Sequence, residues 1–388
     1  MIFFAFDIIN SGVAVPNLRN TNDNPELYET TAPYSKDFGF LNYLNAECIP
    51  YTQLTVAELA GAPHTAVYPI HLTHFDSSID YVAAMSEQAR QMSASGQLLP
   101  LFYFSHGIDV TAVYAHLLPL LTKYGIEHSN LRVILPNLTS NRQDLIHFSD
   151  YESQAHYTAL ETDIVHHVNV RNRHKTFVCS TEHDSNFGSL IAGSMWYHGL
   201  HLNGYFSYKG AKQLNDPNKG GTNVLKWNKY WADVDELLEN FKLHVPFNLA
   251  EPIEKPTTLY SDAYWGVVIA NQCDKTHAHI PRGVFNPIMN MQPFMVVGPQ
   301  YTLRTLRDMG YVTFSEWMDE GYDKIKSDEE RMNICFQMIY DIANLTHKEH
   351  TQMMKEMIPV LAHNQGVLLS SKKEQYLAAI NMLMGTKI

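Results

Sequence analysis

The sequence predicts an α/β protein built from two doubly wound, Rossmann-like domains. Three observations carry that prediction. Short apolar runs alternate with amphipathic stretches through the first half, as strands alternate with helices in βαβ units. The alternation restarts near residue 175. The length, 388 residues, corresponds to about two domains of ordinary size.

The elements follow in order. Residues 2–9 are an apolar first strand that the Asn10-Ser11-Gly12 turn ends, and 65–72 (TAVYPIHL) is the second strand. Over 79–95, Tyr81, Met85, Ala89 and Met92 recur at helical spacing, which predicts one helix. Residues 98–104 (LLPLFYF) are continuously apolar, as a strand covered on both faces must be. A helix over 110–124 and a strand over 131–135, closed by Pro136, complete the first run. The second run has a strand at 176–179 and a helix over 189–200 carrying Leu190, Ile191, Met195 and Trp196. A polar loop over 209–222 comes next, then strands at 264–270 and 294–297. The helix over 303–309 stops at Gly310, and further helices are expected over 329–345 and 374–384. The expected division is 1–168 for the first domain, 169–365 for the second and 366–388 for a C-terminal helix.

Composition narrows the function classes. Apolar residues are 45% and charged residues 18%, the balance of a folded chain. A net charge of −12 argues against a protein whose affinity comes from coating a phosphate backbone. Cys48, Cys179, Cys273 and Cys335 are far apart and form no CxxC pair, so a reduced cytoplasmic chain without a disulfide scaffold or zinc knuckle is expected. The N-terminal MIFFAFDII lacks a basic flank and meets Asp7 early, which reads as a strand and not a signal peptide. No window approaches the ~20 apolar residues of a membrane span.

In doubly wound sheets, ligands bind beyond the carboxyl ends of strands. The first such loop contains Ser11 and Gly12; it is not GxGxxG, so it is either a plain turn or a ligand-edge loop. The strand at 98–104 runs into Ser105-His106-Gly107-Ile108-Asp109, which places His106 as a candidate base with Asp109 to orient it. Helix capping by Asp109 is the competing reading. His71 and His74, the adjacent His166 and His167, and His347 with His350 form no closed ligand set, so no metal is expected. The last pair is expected on a solvated helix face, with Glu349 between its members. GxSxG is missing and no cysteine carries a nucleophile signature. Arg282, near a helix start, is a candidate to pair bidentately with a diphosphate, and a surface arginine beside a core turn is the competing reading.

The densest signal runs from residue 264 to 325. Its residues are Phe285-x-Pro287-Ile288, then Gln292-Pro293-Phe294-Met295-Val296-Val297-Gly298-Pro299. They continue as Thr302-Leu303-Arg304-x-Leu306-Arg307-x-Met309-Gly310-Tyr311-x-Thr313-Phe314, Asp319-Glu320-x-Tyr322-Asp323, Asp328 and Glu330-Arg331. This stretch resembles a group of phage- and marine-type glycosyltransferases with the two-domain GT-B fold. A looser likeness extends over 175–208. The resemblance implies two domains facing across a cleft, with the acceptor on the first and a nucleotide-sugar donor on the second. The candidate donor contacts are Arg282, Phe285, Asn286, Gly298 and Asn271, with Ser11 and Gly12 at the first domain's edge. The family's Thr-Glu-Lys-Thr run is replaced here by Pro281-Arg282-Gly283-Val284, and its Thr-Glu-Thr step by Ile269-Ala270-Asn271.

On this resemblance the expected reaction is an inverting transfer. His106 with Asp109 would act as base, a UDP-sugar would be the co-substrate, and no further cofactor is needed. The expected acceptor is a hydroxylated or hydroxymethylated pyrimidine in phage DNA, which would place the enzyme in the cytoplasm of the host cell. Lys212, Lys219, Lys226, Lys229, Trp227 and Trp231 form the one basic, aromatic stretch suited to DNA, although the net charge favours a solvated loop and helix face for it. A glycan or metabolite acceptor, or a catalytically decayed binding protein of the same fold, are the alternatives.

Overall fold

In a computed structural model of the chain, the described residues are 2–6, 39–72, 75–104, 108–136, 145–161, 173–181, 191, 194–195, 198–207, 258–270, 280–370, 376 and 380–381. By its internal contacts the chain forms two compact units, Met1–Ser153 with Ser371–Ile388, and Gln154–Ser370. Each is a mixed α/β unit around one parallel sheet. Among the described residues no helix is long and apolar enough to cross a membrane.

The first unit's elements are β1 (Ile2–Phe6), α1 (Gly39–Ala46), β2 (Tyr51–Thr55), α2 (Val56–Leu59), β3 (Ala66–Leu72) and α3 (Glu87–Ala94). They continue as β4 (Leu98–Phe104), α4 (Val110–Lys123), β5 (Arg132–Leu135) and β6 (Leu145–His147). The sheet has six strands in the order β2-β1-β3-β4-β5-β6, every pair parallel. Strands expected at 2–9, 65–72, 98–104 and 131–135 are its four central members. The two edge strands carried no readable signal: β2 is the polar run YTQLT, half-buried throughout, and β6 has three residues. Leu98–Phe104 is buried at every position, as its unbroken apolar run requires.

The helix expected over 79–95 forms only at Glu87–Ala94. Ser86 accepts a hydrogen bond from the Ala89 N–H and starts the helix there. Upstream, Asp76 accepts from the Ser78 N–H at 2.8 Å and Asp80 from the Ala83 N–H at 2.9 Å, so these carboxylates hold the backbone in turns. Tyr81, Met85, Ala89 and Met92 are nevertheless all buried in the core. The periodic positions identified a buried face, and local capping moved the helix start.

The next helix, α5 (Asp150–Glu161), contains the boundary between the units. The second unit then contains β7 (Lys175–Thr181), β8 (Gly204–Ser207), α6 (Thr258–Asp262), β9 (Ala263–Ile269) and α7 (Phe285–Met289). β10 (Phe294–Val297), α8 (Thr302–Asp308), α9 (Asp328–Ala343) and α10 (His347–Leu369) follow. The sheet order is β10-β9-β7-β8, again parallel throughout. Every residue of β9 and β10 is buried. Gly266 in β9 lets α7 approach, because a Cβ there would lie 3.0 Å from the Pro287 Cβ. Gly310 takes φ +93 and ends α8 as expected, since the left-handed region favours glycine. The loop expected at 209–222 and half of the helix expected over 189–200 lie outside the described residues, although Ile191 and Met195 are helical and buried. Tyr376, Ile380 and Asn381 are helical within the segment expected to form the last helix.

The solvated face expected for His347 and His350 holds for His347, which is exposed, and is corrected by the fold for His350. Thr346 and Glu349 form a reciprocal capping box that starts α10. His350 sits on the buried side of that helix at 3% exposure. Its ring stacks on Tyr264 of β9 with centroids 4.7 Å apart and planes 12° from parallel. The Tyr264 hydroxyl bonds His347 Nδ1 at 2.9 Å and Thr351 Oγ1 at 3.1 Å, so the aromatic and polar contacts together fasten α10 to the sheet.

Candidate functional site

Each sheet reverses its winding at one place, and the reversal defines where a ligand fits. In the first unit the chain runs from β1 outward to β2 and then returns to β3 on the other side of β1. In the second it runs from β7 to β8 and returns to β9 on the other side of β7. The connections at such a switch point diverge from neighbouring strands and leave a crevice beyond their carboxyl ends. Phe6 and Leu72 end the flanking strands in the first unit. Thr181 and Ile269, paired across the sheet, end them in the second.

Several expected site residues fall beyond these ends. Ser11 and Gly12 belong to the connection leaving Phe6, Asn271 to the one leaving Ile269, and His106 to the one leaving Phe104. All four lie outside the described residues. Asp109 is described: it is the N-cap of α4, and its Oδ1 accepts the Thr111 N–H at 2.8 Å. A capping carboxylate at the helix's positive end is held in place by that bond.

In the second unit, Arg282 is exposed on a single 3₁₀ turn, Arg282–Val284, that leads into α7. Phe285 is 1% exposed and packs edge-on against Tyr311 at 6.1 Å, so its ring belongs to the core. Asn286 is half-buried, and its carbonyl accepts from both the backbone N–H and the Nδ2 of Asn290. Gly298 is buried directly after β10, where its carbonyl accepts from Arg331 Nε at 2.8 Å. A Cβ on Gly298 would meet Val296 Cγ1 at 3.3 Å and Thr302 Oγ1 at 3.4 Å.

The loop after β10 is held by a buried polar network. Asp323 Oδ1 accepts the Leu303 N–H at 2.9 Å and Oδ2 the Arg304 N–H at 3.0 Å, so this carboxylate satisfies the first turn of α8. Glu320 accepts from the Thr313 hydroxyl and the Phe314 N–H, each at 2.6 Å, and from Arg307 Nη1 at 3.0 Å. Arg307 Nη2 lies 3.6 Å from Asp323 and joins the two acids. Burial raises both carboxyls above their ordinary values, against the pull of these donors and of Arg307. The Arg331 guanidinium also donates to the Ile325 carbonyl at 2.7 Å and contacts Asp328. Tyr322 donates to the Val296 carbonyl at 3.0 Å. Much of the motif block Asp319 to Arg331 thus builds the platform under the β10 loop.

Sequence reasoning missed two features of this region. Asp323 caps a helix whose first residues lie twenty positions earlier, at Leu303 and Arg304, and a long-range cap has no local signature. Tyr301, directly before α8, takes a left-handed backbone conformation at φ +66, which tyrosine identity does not announce. Among the described residues no group of three or more His, Cys, Asp or Glu is arranged to hold a metal ion.

No protein-family model matches the sequence. No curated protein matches it either. Solved structures that align with the chain at low similarity include the following two. The N-terminal domain of trehalose-6-phosphate phosphatase from Candida albicans aligns with 90% of this chain and 73% of its own, at 10% identity and a TM-score of 0.39. A glycosyltransferase from Rickettsia africae ESF-5 aligns with 100% of this chain and 99% of its own, at 9% identity and a TM-score of 0.36.

Proposed function

We propose that the chain is a glycosyltransferase that moves a sugar from a nucleotide-sugar donor to an acceptor hydroxyl. The observation that carries this reading is the pair of parallel sheets, each with its own switch point, in a chain whose residues 285–331 resemble the donor half of GT-B enzymes. Each unit has its own switch point, the place where one substrate of a two-substrate transfer is expected to bind. The donor is assigned to the second unit. There Arg282 stands exposed on the turn into α7, and a guanidinium suits the charge and planar geometry of a diphosphate.

The transfer needs two services from the protein. A base must take the proton of the acceptor hydroxyl as it attacks the sugar's anomeric carbon, and positive groups must stabilise the departing nucleotide diphosphate. His106, which follows the carboxyl end of β4 in the chain, is proposed as the base, and Asp109 as the group that orients it. Arg282 is proposed as the group that faces the leaving diphosphate. Attack from the side opposite the leaving group inverts the anomeric centre.

Thermal unfolding in the presence of UDP, GDP, CMP and dTDP, with and without their sugars, tests the reading. A ligand at ~100-fold its dissociation constant adds about 2.7 kcal/mol to the state it binds. One nucleotide is expected to raise the melting temperature, and Arg282→Ala to weaken that rise. With the donor known, transfer is then measured onto DNA carrying hydroxymethylated pyrimidines, onto plain DNA, onto glycans and onto small metabolites. Modified DNA is the acceptor we propose, and incorporation into glycans or metabolites alone would replace it. The absence of any nucleotide effect would refute the enzymatic reading.

A further inference from the structure

We infer that Tyr301, flanked by Arg304, is a stacking platform for the planar base of the nucleotide donor. The inference rests on the glycosyltransferase reading and assigns a residue to its donor side. Tyr301 lies in the connection that leaves the carboxyl end of β10, the edge of a parallel sheet where ligands bind. Its backbone sits at φ +66, ψ 17, a left-handed conformation that a bulky side chain enters at a cost and glycine enters freely.

The fold uses that backbone and leaves the ring partly open to solvent. The Tyr301 N–H donates to the Asp323 carbonyl at 2.8 Å, and the Tyr301 carbonyl accepts from both the N–H and the hydroxyl of Thr305 at 2.9 Å. A glycine would make the same three bonds without strain. The ring is not spent on the core, for Tyr301 is 38% exposed, among the large hydrophobic residues that face solvent. The Arg304 guanidinium lies 5.7 Å from the ring centroid.

Strained residues persist where the surrounding structure over-determines them, and they concentrate at ligand sites. Here the Asp323 network supplies the over-determination: one residue holds the Tyr301 N–H through its carbonyl and the Arg304 N–H through its carboxylate. The result is an aromatic ring with a cation over one face, the guanidinium of Arg304, whose Nε lies 3.9 Å from Asp308. A nucleobase stacks on such a ring whatever its identity, and an adjacent guanidinium adds attraction for its carbonyl oxygens and for phosphate. A sugar phosphate without a base would gain nothing from the ring.

Three variants separate the ring from the backbone: Tyr301→Phe keeps the ring, Tyr301→Leu keeps a side chain at the strained position, and Tyr301→Gly relieves the strain. Dissociation constants of the nucleotide selected by the wild type, and of inorganic pyrophosphate as a base-free probe, are measured by calorimetry on the full chain. The nucleotide constant is expected to rise about tenfold in the Leu and Gly variants and to stay within about twofold in Phe. Pyrophosphate binding should be the same in all of them, and Tyr301→Gly should melt no lower than the wild type. Unchanged nucleotide affinity in Leu and Gly would overturn the platform and leave the glycosyltransferase reading standing. Weakening in Gly alone would overturn it in favour of a backbone role. If the wild type binds no nucleotide at all, the platform and the glycosyltransferase reading fall together.

Discussion

His350 makes the second unit sensitive to mild acid. Its ring is 3% exposed and lies flat on Tyr264, with both ring nitrogens buried. Burial pushes its pKa down from 6.5 to about 4; the neighbouring His347 pushes the same way, and Glu349 and the Ile342 backbone oppose it. Because the folded value lies below the unfolded one, the unfolded chain takes up the proton first as the pH falls. The stabilisation is therefore complete above about 6.5 and is lost progressively down to about 4. Between pH 7 and pH 5 the two values imply a loss of at most about 2 kcal/mol, since a tenfold difference in proton affinity between the folded and unfolded chain corresponds to ~1.4 kcal/mol.

The perturbation that isolates this effect is His350→Phe, which keeps a flat ring against Tyr264 and removes the titration. All five tryptophans lie between Trp196 and Trp317, inside the second unit, so their fluorescence reports its urea unfolding. The wild type is expected to lose about 2 kcal/mol more than the variant between pH 7 and pH 5. Parallel pH dependences of the two proteins would refute the assignment of a neutral, buried imidazole.

Three further outcomes follow from the same geometry. Asp323→Ala leaves the Leu303 and Arg304 N–H groups without their acceptor and should cost about 2–4 kcal/mol, read as an earlier tryptophan unfolding midpoint. Gly266→Ala places a methyl 3.0 Å from the Pro287 Cβ and should cost about 1–3 kcal/mol by overpacking, checked by the same unfolding curve. Thr55→Ala removes the capping box of α2 in the first unit and should cost about 0.5–2 kcal/mol. A loss of that size leaves tryptophan fluorescence unmoved at its own midpoint and appears in far-ultraviolet circular dichroism.

The elements that could be read from the chain were those whose pattern is local. LLPLFYF and the run from Tyr264 to Ala270 are apolar at nearly every position because both faces of their strands are covered. Gly310 marked the end of α8 because the left-handed turn there favours glycine. The class of fold followed from the alternation of such runs with amphipathic stretches. The helix over 79–95 shows where periodicity stops being informative: apolar spacing located a buried face, while Ser86 and the Asp76 and Asp80 turns set where the helix begins.

The sequence by itself determined the α/β class and the central strands of both sheets. Periodicity and turn chemistry are properties of neighbours along the chain. Only the tertiary structure decided which of the charged and aromatic residues are internal. Glu320, Asp323 and Arg331 look like surface chemistry in one dimension, yet their partners are backbone groups and side chains brought to them by folding. His350 looks like a solvated helix residue until β9 supplies Tyr264 beneath it. Tyr301 reads as any tyrosine until Asp323 holds its backbone in a conformation that its side chain disfavours. Burial and long-range hydrogen bonding depend on which distant segments meet, and that is settled only when the sheets close and the helices pack on them.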